Sequence, residues 1–255
     1  MTPNFAADVA PMFTLKGKVA FVTGGAVGMG RAAGLLLASA GATVILADDA
    51  ERVAALGQQP NGVTAKTLDV TDPQVVKSVV AEAVESAGGI DILVNGAVIN
   101  HNRPLLEIAP DEWDHIQAVN LKSAFLVTQA VIPSMQQRGG GRIINLTTMG
   151  SVQPVLHGNA AYSASRAGLN AFTRNCALDF AKDNITSNAI LPGAINTETI
   201  SKGLRLSGPG ADPARQIGGY GRPEDVAGLV LLLASPAGRY ISGQLIAVDG
   251  GFLVS

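Results

Sequence analysis

Seven short apolar runs limit what this chain can fold into: KVAFVT (18–23), TVILAD (43–48), VTAKTLDV (63–70), DILVNG (91–96), GRIINLTT (141–148), ITSNAILPG (185–193) and QLIAVDG (244–250). The runs are continuous rather than alternating, so both faces of each strand must be covered. Stretches with helical spacing separate them: 30–41, a short one near 50–57, then 73–88, 111–137, 160–183 and 223–235. This alternation makes an α/β fold, a doubly wound parallel sheet with helices on both faces. No break in composition divides the 255 residues, which suffice for one large domain. The expected layout is a loose N-terminal extension over 1–16 and a single domain over 17–255. Asp72 followed by Pro73, and the acidic first turn after Arg222, are helix starts. The helix of 111–137 is expected to run as one piece to a bend at Pro133, with Trp113 in core packing. The Gly- and Pro-rich stretch 197–223 lies beyond the carboxyl end of a strand. Sheets of this kind hold their ligands there, and the stretch reads as a lid over a substrate.

Net charge is −2 and the pI about 5.9, which offers nothing to nucleic acid or an anionic membrane surface. The longest apolar stretch, from Val226 to Ala234, is too short for a bilayer and reads as a buried helix. MTPNFAADVAPMF has neither a basic start nor a long apolar run, so it is not expected to be a signal peptide. The single cysteine, Cys176, excludes an intramolecular disulfide and suits a reducing cytoplasm. His101, His115 and His157 lack metal-ligand spacing, so no metal is expected.

The first run ends in TGGAVGMG and opens a helix. In that strand–turn–helix context Gly24, Gly28 and Gly30 form a dinucleotide-binding arrangement. Glycine permits the tight turn and a close approach to pyrophosphate, and the helix N-terminus attracts the anion. Asp48 ends the second strand, twenty residues after Gly28. A carboxylate there accepts hydrogen bonds from ribose hydroxyls and repels a 2′-phosphate, and no basic residue in GGAVG offsets it. NAD is therefore expected rather than NADP. Asp69, at the end of the third run, is placed to reach the adenine.

AAYSASRAGLNAF (160–172) sets Tyr162 and Arg166 four residues apart. On a helix they share a face, ~6 Å apart along the axis. A free phenol, with a pKa near 10, is a poor base at neutral pH, and lowering it by three units takes ~4 kcal/mol. One positive charge ~6 Å away supplies ~3 kcal/mol at an effective dielectric of about 20. The same spacing also reads as a packed phenol and a surface cation on an interface helix.

Together TGGAVGMG, Asp48, Leu68-Asp69-Val70, DILVNGA at 91–97, Asn120, the tyrosine segment, Leu191-Pro192-Gly193 and AVDGG at 247–251 resemble the short-chain dehydrogenase/reductases. The likeness covers nearly the whole chain from about Leu15. It implies a single-domain Rossmann-like fold, hydride transfer between a nicotinamide cofactor and a secondary alcohol or ketone, and a homotetramer. It also implies catalytic Asn, Ser, Tyr and Lys. Asn120 and Tyr162 match. Arg166 stands at the Lys position and Thr148 at the Ser position, with Thr147 and Ser151 as alternatives for the hydroxyl. The implied cofactor contacts are Gly24, Val27, Gly28, Met29, Gly30, Asp48, Asp69, Val70, Asn95, Ala97, Tyr162, Arg166, Pro192, Gly193, Ile195 and Thr197. A water held by Asn120 would link position 166 to solvent. Asn95-Gly96-Ala97-Val98 departs from the family's usual Asn-Asn-Ala-Gly, where backbone runs close to the cofactor.

Thr148 keeps a hydroxyl for a developing alkoxide, although its methyl group takes up space. Arg keeps the charge and hydrogen-bonds a ribose diol, with a head longer and more diffuse than an ammonium. Gln153 and His157 lie on the loop before Tyr162 and are candidate substrate contacts. With His101, Asn102 and Asn159 in neighbouring loops they favour a small polar hydroxy compound. Two functions stay open: an NAD-dependent alcohol dehydrogenase or ketone reductase, and a catalytically impaired NAD-binding or assembly protein on the same fold.

Overall fold

The computed structural model describes residues 5–197 and 207–255. All seven runs form strands: β1 Val19–Thr23, β2 Thr43–Asp48, β3 Val63–Thr67, β4 Ile92–Asn95, β5 Gly141–Leu146, β6 Ile185–Pro192 and β7 Leu245–Val248. They make one sheet in the order β3-β2-β1-β4-β5-β6-β7, each pair parallel. The strand order reverses at β1 and β4, which opens a crevice at their carboxyl ends.

The helices are α1 Phe5–Phe13, α2 Gly28–Ser39, α3 Ala50–Ala55, α4 Pro73–Ala87, α5 Pro110–Gln117, α6 Ser123–Gln137, α7 Ala160–Asp179 and α8 Pro223–Ala234. On one face α2 packs along α8 over a core that includes Val22, Leu46 and Ile144. On the other, α4 packs along α6 over Phe21, Ile45 and Ile143. Adjacent strand residues thus enter opposite cores, as a two-residue period requires. That double burial is why the runs are continuously apolar.

Four details differ from the sequence expectation. The N-terminal segment is helical over Phe5–Phe13: it holds no glycine, and Pro11 falls in the last turn, where little of the hydrogen-bond ladder is lost. β3 stops at Thr67, because Asp69 Oδ1 accepts from the Thr71 amide and hydroxyl, a local bond that competes with strand pairing. The stretch 111–137 is two helices joined by a π-turn at Ala118–Lys122, and α6 runs on through the solvent-exposed Pro133. Trp113 is 36% exposed, since α5 buries Ile116 instead. Both expected helix starts hold: Asp72 Oδ1 accepts from the Gln74 and Val75 amides, and Asp225 Oδ2 from the Arg222 amide.

Candidate active site

β1 enters α2 through a glycine turn. Gly24 and Gly28 sit at φ +63° and +54°, the left-handed region that favours glycine. A Cβ on Gly24 would lie 2.5 Å from Gly96 O, so the turns after β1 and β4 are in direct contact. Val27 supplies no capping oxygen to α2, and its first turn holds no acid. The first amides of the helix, at Gly28, Met29 and Gly30, are thus left for an anion. From the far side of the crevice, Thr197 Cγ2 comes 3.5 Å from where a Gly28 Cβ would stand. This brings Thr197, in the segment that follows β6, against the glycine turn.

Asp48 is 5% exposed. Its Oδ2 accepts from the Ala26 amide at 3.0 Å, and its Oδ1 from the Asp49 amide at 3.0 Å and Arg52 Nη1 at 3.3 Å. Arg52 also pairs with Asp49. Sequence reasoning looked for an offsetting cation only in the glycine turn and missed Arg52, although its i,i+4 spacing from Asp48 was the available signal. Asp69 spends its carboxylate on Thr71, whose hydroxyl and amide hold it below the usual carboxylate range. The Asn95 side chain turns into the sheet rather than the crevice, donating to Asn145 Oδ1 at 2.8 Å and Thr128 Oγ1 at 3.2 Å. The backbone of Gly96 and Ala97 is what faces the glycine turn.

Tyr162 and Arg166 share a face of α7, with Arg166 Cζ 5.6 Å from the phenol ring centroid. Arg166 is 2% exposed and has no carboxylate partner among the described residues. Nη1 donates to Asn120 O at 3.2 Å and Nη2 to Ala97 O at 3.1 Å, while Nε is buried without a partner. Burial pushes the guanidinium's pKa down, and the facing Tyr162 pulls it back up. The guanidinium reaches the Asn120 carbonyl directly. Asn120 lies in the π-turn, 1% exposed. Its side chain accepts from the Ile99 amide and donates to Ile99 O, both at 2.9 Å, and donates to Ser165 Oγ at 3.1 Å.

The three hydroxyls differ in what they already do. Thr147 Oγ1 is buried and donates to Ile190 O at 2.9 Å. Ser151 Oγ donates to Thr148 O and accepts from Asn170 Nδ2. Thr148 Oγ1 accepts from the Gly150 amide at 3.1 Å, and its own proton has no acceptor among the described residues.

Three loops stack over the carboxyl edge of the sheet. The Arg103 amide donates to Gly158 O, the His157 amide to Ser207 O and the Gly210 amide to Val155 O, each at 2.8 Å. His157 Nδ1 lies 3.1 Å from Ser207 Oγ, so this side chain faces the stretch expected to be a lid. His101 and Arg103 both face Glu112. Gln153 lines an open groove of about 400 Å³ with Asn159, Ser163 and Ala167, which neither Tyr162 nor Arg166 borders. Of the expected lid, residues 198–206 lie outside the described residues.

A family model described as enoyl-(acyl carrier protein) reductase matches residues 24–253. The chain belongs to the short-chain dehydrogenase/reductase family. The 3-oxoacyl-[acyl-carrier-protein] reductase of Thermotoga maritima is 38% identical over 248 residues, 94% of this chain and 99% of that relative. The crystal structure of gox2181 superposes with a TM-score of 0.88 at 31% identity, covering 96% of this chain and 99% of that one. A blue fluorescent protein from a metagenomic library, solved in complex with NADPH, gives 0.85 at 35% identity over 94% of this chain and 100% of its own. Further relatives are named 7alpha-hydroxysteroid, 2-dehydro-3-deoxy-D-gluconate 5- and NAD-dependent glycerol dehydrogenases. This short-chain dehydrogenase/reductase is an oxidoreductase acting on an alcohol or ketone group. No helix among the described residues is long and apolar enough to cross a membrane.

Proposed function

We propose that the protein is an NAD-dependent dehydrogenase that interconverts a small polar secondary alcohol and its ketone. The observation that carries this reading is Arg166: a desolvated cation, with no carboxylate partner among the described residues, set 5.6 Å from the Tyr162 ring. A charge at that range stabilises a phenolate by ~3 kcal/mol at an effective dielectric of about 20. Tyr162 then takes the hydroxyl proton during oxidation and returns it during reduction. Thr148, whose O–H is uncommitted, donates to the substrate oxygen as charge develops there. Asn120 holds the loop at Ile99 and, through Ser165, helix α7 in register.

The bound nicotinamide cofactor supplies the hydride acceptor or donor. Two features of the chain fit it: the uncapped start of α2 fits a pyrophosphate, and the buried Nε of Arg166, without a partner among the described residues, fits a ribose hydroxyl. NAD is favoured because Arg52, the cation beside Asp48, is matched by two carboxylates, which leaves the ribose end net negative. Val27, Val70, Ala97, Pro192, Gly193, Ile195 and Thr197 complete the proposed crevice. Asn102, whose buried Oδ1 has no partner among the described residues, and His157, on loops over the carboxyl edge of the sheet, support a polar substrate.

A homotetramer is part of the proposal. Its support is exposed apolar surface on the long helices, Phe125 at 43% on α6 and Leu178 at 76% on α7. So is a cytoplasmic setting, supported by the lone buried Cys176, whose thiol burial pushes up to about 11. Steady reduction of NAD, but not NADP, with a panel of secondary alcohols and polyols is the expected result. Should the wild type bind NADH and turn over none of them in either direction, the catalytically impaired reading replaces this one.

A further inference from the structure

We propose that Arg166 is a structural brace of the cofactor-binding turn as well as a charge beside Tyr162, which makes it a positioning residue for Gly96–Ile99. The proposal rests on the cofactor reading above for its consequence, and on geometry for its substance. Arg166 Nη2 holds Ala97 O and Nη1 holds Asn120 O. The Asn120 side chain in turn holds both the amide and the carbonyl of Ile99. The bonds close a ring: α7, the turn after β4 and the π-turn are joined through one guanidinium and one carboxamide. Val98 lies inside that ring, with its neighbours on both sides fixed.

The ring bears on the glycine turn directly. A Cβ on Gly24 would lie 2.5 Å from Gly96 O and 2.8 Å from Ala97 N, so no slack separates the two turns. A shift of Ala97 therefore moves the segment that receives the pyrophosphate. A planar fork serves two carbonyls at once, whereas an ammonium carries a compact charge with diverging donors. Guanidinium also stays protonated across the working pH range, so the bonds persist.

The test removes the side chain and returns its shape. Arg166→Ala should weaken NADH binding, read by fluorescence titration, by roughly tenfold or more, the scale of two charge-assisted hydrogen bonds. Added methylguanidinium should restore most of that affinity, while methylammonium at the same concentration should not. Arg166→Lys, which keeps the charge, should share the weakened binding and lower the melting temperature of the cofactor-free protein. Equal rescue by both cations, or Arg166→Lys with unchanged melting temperature and NADH affinity, would overturn the brace and leave position 166 as a charge alone. Failure of the wild type to bind NADH would instead undo the cofactor reading, with the melting temperature still reporting on the brace.

Discussion

At the amino end of the sheet Asp91 is 4% exposed, and every side of its carboxylate is answered. Arg138 Nη2 lies 2.8 Å away, Lys18 Nζ 3.1 Å, and the Val19 amide donates at 2.9 Å. Burial alone would push its pKa up, but Arg138, the amide and Lys18 together hold it below the usual carboxylate range. At the carboxyl end Arg166 is equally buried, yet its partners among the described residues are two carbonyls and a phenol. Both sites carry the desolvation cost of a charge, and only one recovers it through an opposite charge. A cancelled charge fastens local structure; an uncancelled one keeps its field for a reacting group.

The sharpest break in this comparison is Tyr162→Phe. If the field of Arg166 exists to act on the phenol, oxidation should fall by about 10³-fold, the scale of a lost general acid–base group. NADH binding should change little, and activity close to wild type would remove Tyr162 from the chemistry. The converse change is Asp91→Ala, which removes the acceptor that Arg138, Lys18 and the Val19 amide share and should destabilise the fold by about 1–3 kcal/mol with turnover at 25 °C nearly unchanged. Urea denaturation measures it. Because the folded carboxyl is depressed, its stabilisation is complete above the unfolded pKa near 4 and is lost as pH falls through the lower folded value. The gap between wild type and Asp91→Ala should therefore close below about pH 4.

The contrast between the two ends also shows what a sequence discloses. Strands were legible because burial on both faces writes itself as continuous apolar runs, and the Tyr162–Arg166 pair because helical spacing fixes which residues share a face. The π-turn was not legible: residues 118–122 have ordinary helical composition, and the local widening shows only once Asn120 engages Ile99 and Arg166. Nor was the inward turn of Asn95, whose partners Thr128 and Asn145 come from distant segments. Nor was the commitment of two of the three candidate hydroxyls: Thr147 spends its proton on Ile190 O, from a distant strand, and Ser151 on Thr148 O.

Asp48 stands between the extremes, buried like Asp91 but answered by a single cation that is 44% exposed and shared with Asp49. Asp48→Ser with Asp49→Arg should move the NAD to NADP preference toward NADP by about tenfold or more, since it replaces a net negative ribose end with a positive one. The same change removes the Asp49 cap from α3, at about 1 kcal/mol of stability. A wild type that already prefers NADP in titration would mean that Arg52, not Asp48, governs that end.

The finest distinction lies within Arg166 itself. Its charge is spread over a planar head 5.6 Å from the phenol ring. Oxidation gives a proton up to a base, so its rate should climb with pH. Arg166→Lys concentrates the charge in a compact ammonium, which favours negative charge on the facing oxygen more than a spread guanidinium does. The rising limb of kcat/KM should then move to lower pH. Loss of the brace lowers the height of the profile, whereas the change of charge moves its position, so one pH series separates them. A profile that drops without moving would mean that the brace is all that position 166 contributes, and that the uncancelled charge at the carboxyl end does not act on Tyr162.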